Sequence, residues 1–470
     1  MVAQLASGSY YDFSLIVIGI GIPAILLFLI FLSLDPKKSL FLFILIFPIF
    51  PSIHNYLSTF GSKLVPALIE LVISFLLFFA ISIKHKSSRQ LNSITYFSIF
   101  WVFANSVSLM ISGFEEPALV GYILSLAFLF MALSLSKAFS ILRSNETLRF
   151  YDRPIFIFSI SLAFYIFACI LLLLSSYGSE VFATITKLQR LDEFDGMAYL
   201  DINAMSGISL LLVPLSLFYL TINRQLITKA INVILIFLVV LLVFIDKSRG
   251  GLLCFIFLVG WLIFTNLLPN LNKTYSQSGS RLISLGLFSL VGLTSIYLIG
   301  DIIFFRFSGT DEGAAAVTIA DVVVRTFVST RGQLLIEGFT KFFESPVFGH
   351  GYGTMLYVAT IDVNWDSHNQ ILESLISIGL FGTSSLFYLL MSSYMRYRKN
   401  KKFMDSKTLN LQKNIWLSII LFGLFGLTTG MHLIDTSDRV SFFPIYLYSF
   451  FIILSMHISE ESKISFDNNS

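Results

Sequence analysis

Runs of predominantly apolar residues, each about as long as a membrane-spanning helix, are the feature of this sequence that most constrains its fold. About thirteen such runs follow one another, at residues 14–32, 39–57, 65–83, 94–113, 118–136, 154–176, 203–222, 231–245, 251–269, 282–304, 371–395, 414–431 and 442–457. Charged residues make up only 13% of the chain, against about 25% in a typical soluble domain, so most of the surface is not suited to face water. The sequence therefore predicts an all-α fold, a polytopic integral membrane protein with about 12 to 13 transmembrane helices.

The distribution of Lys and Arg predicts how these helices cross the membrane, because both residues are retained preferentially on the cytoplasmic side. If the first helix starts outside, alternate connections collect most of the 31 Lys and Arg on the cytoplasmic side, including a cluster at residues 396–402. Most acidic residues fall on the opposite side. One orientation thus satisfies all the short loops.

The predicted spans divide the chain into four segments. These are N-terminal transmembrane helices at 1–200, central transmembrane helices at 201–304, an outer loop at 305–370, and C-terminal transmembrane helices with a cytoplasmic tail at 371–470. Loops as long as 305–370 are usually functional or disordered. Within it, apolar residues recur with helical spacing from Asp321 to Glu344. We expect an amphipathic helix there, lying on the outer face of the membrane.

Composition argues against several classes of function. A formal charge of +3 is too small to indicate a nucleic-acid partner. The 2 Cys lie inside apolar runs, and the 6 His are scattered without metal-ligand spacing. No Asp-x-Asp pair offers ligands for a hard cation. We therefore expect neither a metal site nor a cofactor.

The first candidate site is Asp246-Lys247-Ser248-Arg249-Gly250-Gly251, at the outer end of a predicted span. The planar guanidinium of Arg249 matches a phosphate through two parallel hydrogen bonds, and the two glycines allow a ligand to approach the backbone closely. The alternative is that Lys247 and Arg249 only cap a helix end and extend toward lipid headgroups.

The second candidate site lies on the predicted loop helix. Arg325 and Arg331 fall on different faces, and Arg331 shares its face with Leu334, Leu335 and Phe339. Its guanidinium would thus be held close to the membrane surface. Basic residues on an interfacial helix also bind lipid headgroups without any catalytic role, and this alternative stays open.

The third candidate site combines a Gly-rich turn with the start of a span. The turn is Pro346-Val347-Phe348-Gly349-His350-Gly351, and the span follows Asp366-Ser367-His368-Asn369-Gln370. Ser367 and Gln370 have capping-box spacing, which predicts His368 as the first helical residue. The helix dipole would keep that imidazole neutral and able to accept a proton. Asn369 and Glu373 would share one helix face. The alternative interpretations are a polar helix end for His368 and a conformational role for His350.

These three sites supply one candidate base and several fixed positive charges on the outer side of the membrane. That set of groups suits transfer from a lipid-linked phosphate or diphosphate without a metal.

The same residues resemble a known family. Ser248-Arg249-Gly250, Arg331 in a long outer loop, Pro346-x-x-Gly349-x-Gly351, and His368-Asn369-x-x-Leu372-Glu373 followed by Gly379 and Gly382 resemble the bacterial O-antigen polymerase and O-antigen ligase superfamily. The resemblance is strongest over residues 246–390. Members are inverting, metal-independent glycosyltransferases of the bacterial inner membrane, and their active site faces the periplasm.

The resemblance implies a role for each candidate residue. Arg249 and Arg331, with Lys247 and Arg325, would bind the diphosphate of an undecaprenyl-diphosphate-linked oligosaccharide. His368 would be the general base, with Ser248, His350, Asn369 and Glu373 in support. The implied partners are a lipid-linked donor and acceptor, membrane lipids and a chain-length regulator.

Polymerase and ligase differ in their acceptor. A lipid A core acceptor carries phosphates, whereas the outer surface of this chain is predicted to be acidic, so the sequence mildly favours the polymerase. The ligase is the alternative. A lipid-linked sugar flippase or another transporter is an alternative of a different class, and it predicts charged residues around a cavity at mid-membrane depth.

Overall fold

The computed structural model describes residues 64–84, 91–141, 210–222, 226–246, 249–262, 330–352, 369–428 and 443–469. The regular secondary structure of these residues is helical, without a strand among them. The helices are α1 Leu64–Lys84, α2 Asn92–Ile111, α3 Glu116–Ile141, α4 Val213–Ile222, α5 Leu226–Asp246, α6 Arg249–Leu262, α7 Thr330–Glu344, α8 Gln370–Asn400, α9 Ser406–Thr428 and α10 Phe443–Asn469. A short 3-10 helix, Lys401–Phe403, joins α8 to α9. The all-α prediction is confirmed over this part of the chain.

Within the described ranges, 4 helices are long and apolar enough to cross a membrane. They are Leu64–Lys84, Asn92–Ile111, Glu116–Ser140 and Ile371–Phe403, and each coincides with a predicted span. Helices α4, α5, α6, α9 and α10 occupy the described parts of five further predicted spans. The predicted spans at 14–32, 39–57, 154–176 and 282–304 lie outside the described residues.

Helix α3 occupies the interior of this bundle. In its most apolar stretch 72% of the residues are buried, against 33% for α1 and 39% for α2. Small side chains on its buried face allow close approach of its neighbours α1, α2 and α10. The outward faces of α1 and α2 remain apolar, with Val72, Phe79 and Phe103 about half exposed. Such faces suit contact with lipid, since water would disfavour them.

An aromatic cluster joins α2 to α3. The ring of Trp101 packs edge-on against Phe128, with centroids 5.3 Å apart, and stacks near Phe97 at 5.7 Å. Its indole Nε1 donates to the carbonyl of Ser125 at 3.0 Å. All of these side chains are buried. Trp101 therefore stabilises the contact between α2 and α3 in two ways. It buries a large apolar surface, and its hydrogen bond fixes the register of the two helices.

One end of the bundle is held by a polar network between α2, α8 and α10. Arg396 donates to Glu460 at 2.9 Å and to the hydroxyl of Ser93 at 3.0 Å. Asn400 donates to the carbonyl of Ser459 at 3.0 Å. This end contains the start of α2 and the ends of α8 and α10, so α2 runs opposite to the other two. Successive membrane-spanning helices alternate in direction, and in the predicted order of spans α2 must run opposite to α8 and α10.

Candidate functional site

The predicted site residues fall partly within the described structure. Arg249 begins α6, and Arg331 is the second residue of α7. His350 lies in the turn after α7, while Asn369 and Glu373 stand at the start of α8. Four further predicted site residues lie outside the described residues: Lys247, Ser248, Arg325 and His368.

The start of α8 corrects the predicted cap by two residues. The N-cap is Asn369, which has extended φ and ψ of −138° and 110° and whose side chain accepts from the amides of Ile371 and Leu372 at 3.1 and 3.0 Å. The helix begins at Gln370, so His368 precedes the cap and is not the first helical residue. Asn and Ser are equally good caps, and spacing alone could not decide between Ser367 and Asn369.

Glu373 occupies the first turn of α8 and is buried, with 6% of its surface exposed. A carboxylate there interacts favourably with the positive end of the helix dipole. Asn369 instead turns its side-chain oxygen back onto the helix amides. The structure thus gives Asn369 a role in starting the helix.

Helix α8 is broken at Gly379, which has φ 64° and ψ −173°. The turn after α7 is inserted at this break; we call residues 345–352 the docked loop. The amides of His350 and Gly351 donate to the carbonyls of Ile376 and Ser377 at 2.7 and 3.0 Å. In return, the amides of Leu380 and Phe381 donate to the carbonyls of Pro346 and Val347 at 2.8 and 3.0 Å.

Two glycines make this insertion sterically feasible. A Cβ on Gly379 would lie 2.2 Å from the carbonyl oxygen of Val347, and one on Gly349, which has φ 74°, would lie 2.5 Å from that of Ser377. Both distances are far inside van der Waals contact, and both φ values are unfavourable for other residues. The predicted Gly-rich turn is thereby confirmed. The residue of α8 that it packs against is also a glycine, Gly379.

Within the docked loop, His350 makes a hydrogen bond that stabilises the loop conformation. Its Nε2 lies 2.8 Å from the carbonyl oxygen of Lys341 near the end of α7. Because a carbonyl only accepts, Nε2 must carry the proton in this bond. This contact agrees with the conformational interpretation of His350.

The docked loop is anchored in α2 and α3 by side chains that the sequence analysis did not assign. The buried Tyr352 donates its hydroxyl to Asn105 Oδ1. Ser108 donates to the carbonyl of Ser377 at 2.5 Å, adding a tie from α2 to the break. Phe348 contributes ring contacts to Phe381 of α8, with centroids 5.8 Å apart. Tyr352 also lies so close to Gly121 of α3 that an added Cβ there would collide with its ring, so these anchors fix the loop on three helices.

Helix α7 runs alongside α8, which refines the predicted position of the amphipathic helix. Leu335 and Phe342 pack on the buried pair Leu372 and Ile376, and Gly338 faces Leu372 so closely that a Cβ would lie 2.7 Å from its side chain. Further along, Pro346 and Val347 bond to Leu380 and Phe381. Between Gly338 and Val347 the chain therefore moves from the first two turns of α8 to the residues just beyond Gly379.

Three faces can be distinguished on α7. One packs on α8. A second is apolar and exposed, formed by Ile336, Phe339 and Phe343 and continued by Val347. The third is polar and includes Lys341 and Glu344, which form an ion pair at 2.6 Å. The hydrogen bond from Lys341 holds the pKa of the exposed Glu344 carboxyl below its usual range.

The helices that contain Arg331 and Arg249 lie at different positions relative to α8. Arg331 precedes Leu334 by three residues in α7, the helix that packs on α8. Leu334 is buried but Phe339 is half exposed, so these two residues do not share the one face that was predicted for them. Helix α6, which begins with Arg249, packs on α9, and α9 in turn contacts α8. Among the described residues, no group of three or more His, Cys, Asp or Glu could hold a metal ion.

Comparison with protein-family models gives no match, and comparison with curated proteins gives none either. The function is therefore inferred from the sequence motifs together with the local geometry of α7, the docked loop and α8.

Proposed function

We propose that the protein is a membrane glycosyltransferase of the O-antigen polymerase type. It would transfer a growing oligosaccharide from undecaprenyl diphosphate to another lipid-linked repeat unit on the periplasmic side of a bacterial inner membrane. The observation that carries the proposal is the packing of α7, which contains Arg331, beside the start of α8, whose cap directly follows His368. The candidate phosphate ligand and the candidate base thus belong to neighbouring elements.

The leaving group in this reaction is a polyprenyl diphosphate, on which negative charge develops as the glycosidic bond breaks. Arg331 and Arg249 are suited to hold it, because a guanidinium offers paired donors to phosphate oxygens and remains charged. Lys247 and Arg325 would add positive charge nearby. Preorganised positive groups of this kind stabilise the transition state without a metal.

The attacking group is a sugar hydroxyl, which must lose its proton. His368 would accept it as general base, since a neutral imidazole can do so near neutral pH. The amides at the start of α8 lie next to His368 in sequence, and a helix N-terminus disfavours an extra positive charge there. Attack from the side opposite to the leaving diphosphate would invert the anomeric centre.

A transporter is the alternative that one specific observation favours, because broken membrane helices are a feature of transporter binding sites. Around Gly379, however, the carbonyls of Ile376 and Ser377 and the amides of Leu380 and Phe381 are bonded to the docked loop, and the carbonyl of Ser377 also accepts from Ser108. In transporters, such groups coordinate substrate or ions. The occupied break therefore supports the transferase more than transport.

The test is a reaction with purified protein and an undecaprenyl-diphosphate-linked repeat unit, followed by gel analysis of glycan length. The polymerase predicts a ladder of longer products from this substrate alone, resistant to chelator. His368→Ala should reduce the rate by about 100-fold or more, as expected for loss of a general base. Product formed only after addition of a lipid A core acceptor would indicate the ligase. No transfer to either acceptor would exclude both.

A further inference from the structure

The docked loop takes over hydrogen bonds that belong to an unbroken helix. In an α-helix the amide of residue i donates to the carbonyl of residue i−4, so Leu380 would donate to Ile376 and Phe381 to Ser377. Those four groups instead bond to the loop, at 2.7 to 3.0 Å. Two bonds within α8 are thus exchanged for four bonds between α8 and the loop.

Gly379 permits the break sterically, but a glycine does not supply partners for the backbone groups that the break exposes. Buried backbone groups without partners are costly, so the open conformation at Gly379 persists only while the loop supplies partners. The loop in turn follows α7 directly and ends at Tyr352, which is fixed on α2 through Asn105. The break in α8, the docked loop and the end of α7 are therefore coupled, so that a change in one of them should affect the other two.

We propose that the docked loop is a positioning element for the candidate site, with Gly379 and Tyr352 as its positioning residues. By holding the end of α7 against α8, it fixes α7, the helix that contains Arg331, relative to the Asn369 cap at the start of α8. The consequence for catalysis rests on the proposed function; the coupling between loop and helix does not.

Gly379→Ala tests this coupling. The added Cβ would collide with the carbonyl of Val347, and alanine favours helical φ and ψ. We expect α8 to close, with Leu380 and Phe381 pairing within the helix, and the loop to be released. In hydrogen exchange on the purified full-length protein, peptides covering residues 346–352 should exchange at least about 10-fold faster. Peptides covering residues 378–384 should stay protected, since their amides gain helix partners.

The same variant should lose turnover of a lipid-linked repeat unit by about 100-fold, because small misplacements of reacting groups have effects of that size. We expect kcat to fall more than KM rises, since Arg249 still contributes to donor binding. Gly423→Ala is the matched control: a Cβ on Gly423 of α9 meets no atom within 4 Å. It should leave both exchange and turnover unchanged.

Tyr352→Phe is the second variant, in case Gly379→Ala does not fold. It keeps the ring and removes only the hydroxyl, and exchange should accelerate in 346–352 alone. Unchanged loop exchange in the variant that folds, or equal loss of protection across the whole chain, would overturn the proposal. If loop exchange responds as expected but the wild-type protein transfers no sugar, the coupling between the docked loop and α8 is supported and the proposed function fails.

Discussion

At the scale of single residues, the geometry of a side chain matters as much as its charge. Arg331 is the second residue of α7, the helix that packs on the first turns of α8. A residue that only held the helix to lipid headgroups would need a positive charge and nothing more. One that grips a diphosphate needs a planar group with paired donors.

Arg331→Lys separates these two roles. We expect polymerisation of a lipid-linked repeat unit to fall by about 100-fold, as for loss of a donor to developing charge, while expression and membrane insertion stay normal. Arg398→Lys, the same exchange at an exposed position near the far end of α8, is the control and should be neutral. Near-normal activity of Arg331→Lys would assign that side chain to headgroup binding.

Tyr352 shows why part of the site could not be predicted from sequence. Its partner Asn105 is 247 positions away, and nothing in the local pattern indicates that contact. The glycines around it were informative, because a Gly-rich turn already implies unusual φ and close backbone approach. The cap was predicted two residues early, since Ser367 and Asn369 are equally suitable caps and only the backbone conformation decides.

Tyr352→Phe should also lower stability. Removal of the hydroxyl leaves the buried Asn105 Oδ1 without this donor, which we expect to cost about 1–3 kcal/mol. Thermal unfolding of the purified protein in detergent would measure the loss. Tyr388→Phe, at a partly exposed position of α8, should change stability by less than about 0.5 kcal/mol; an equal loss in both variants would mean that the Tyr352 bond adds nothing specific.

At the scale of elements, the helices were predictable and their mutual arrangement was not. Long apolar runs identified α1, α2, α3 and α8 because length and composition suffice for a spanning helix. The break in α8 was not predicted, because residues 371–395 form one continuous apolar run in which Gly379 and Gly382 are only weak local signs. The direction of α7 depends on contacts with α8, and helical spacing contains no information about those.

The direction of α7 predicts a gradient of membrane depth. The exposed apolar face can be labelled with single spin labels at Ile336, Phe339, Phe343 and Val347. The ratio of accessibility to oxygen over accessibility to a polar relaxant should rise steadily from the first of these positions to the last. The reason is that α7 and the docked loop advance alongside α8, which is long enough to span the bilayer. Equal depth at all four positions would instead indicate a helix lying flat on the membrane surface.

At the scale of the whole molecule, the described helices have relative directions that fit alternating spans. The network around Arg396 collects the start of α2 and the ends of α8 and α10 at one end. The docked loop lies near the other end of α2, beside Ser108. If the basic end faces the cytoplasm, the loop and the start of α8 face outward, as the proposed reaction requires.

This orientation can be measured with two cysteine variants in a background lacking Cys169 and Cys254. Glu115→Cys, in the turn between α2 and α3, should react with a membrane-impermeant maleimide in spheroplasts. Lys402→Cys, at the basic end, should react only after permeabilisation. Both positions are exposed in the structure, so differences in burial do not affect the comparison. The reverse labelling pattern would place the candidate site on the cytoplasmic side and exclude the proposed reaction.

The proposed function requires that Arg249, Arg331 and His368 meet around one lipid-linked diphosphate. An experimental structure of the protein bound to undecaprenyl diphosphate in a lipid nanodisc would test this. We expect guanidinium nitrogens of both arginines within about 3 Å of phosphate oxygens, with the imidazole of His368 on the same side of the membrane and facing the sugar position. A diphosphate bound elsewhere, or the three side chains divided between the two leaflets, would contradict it.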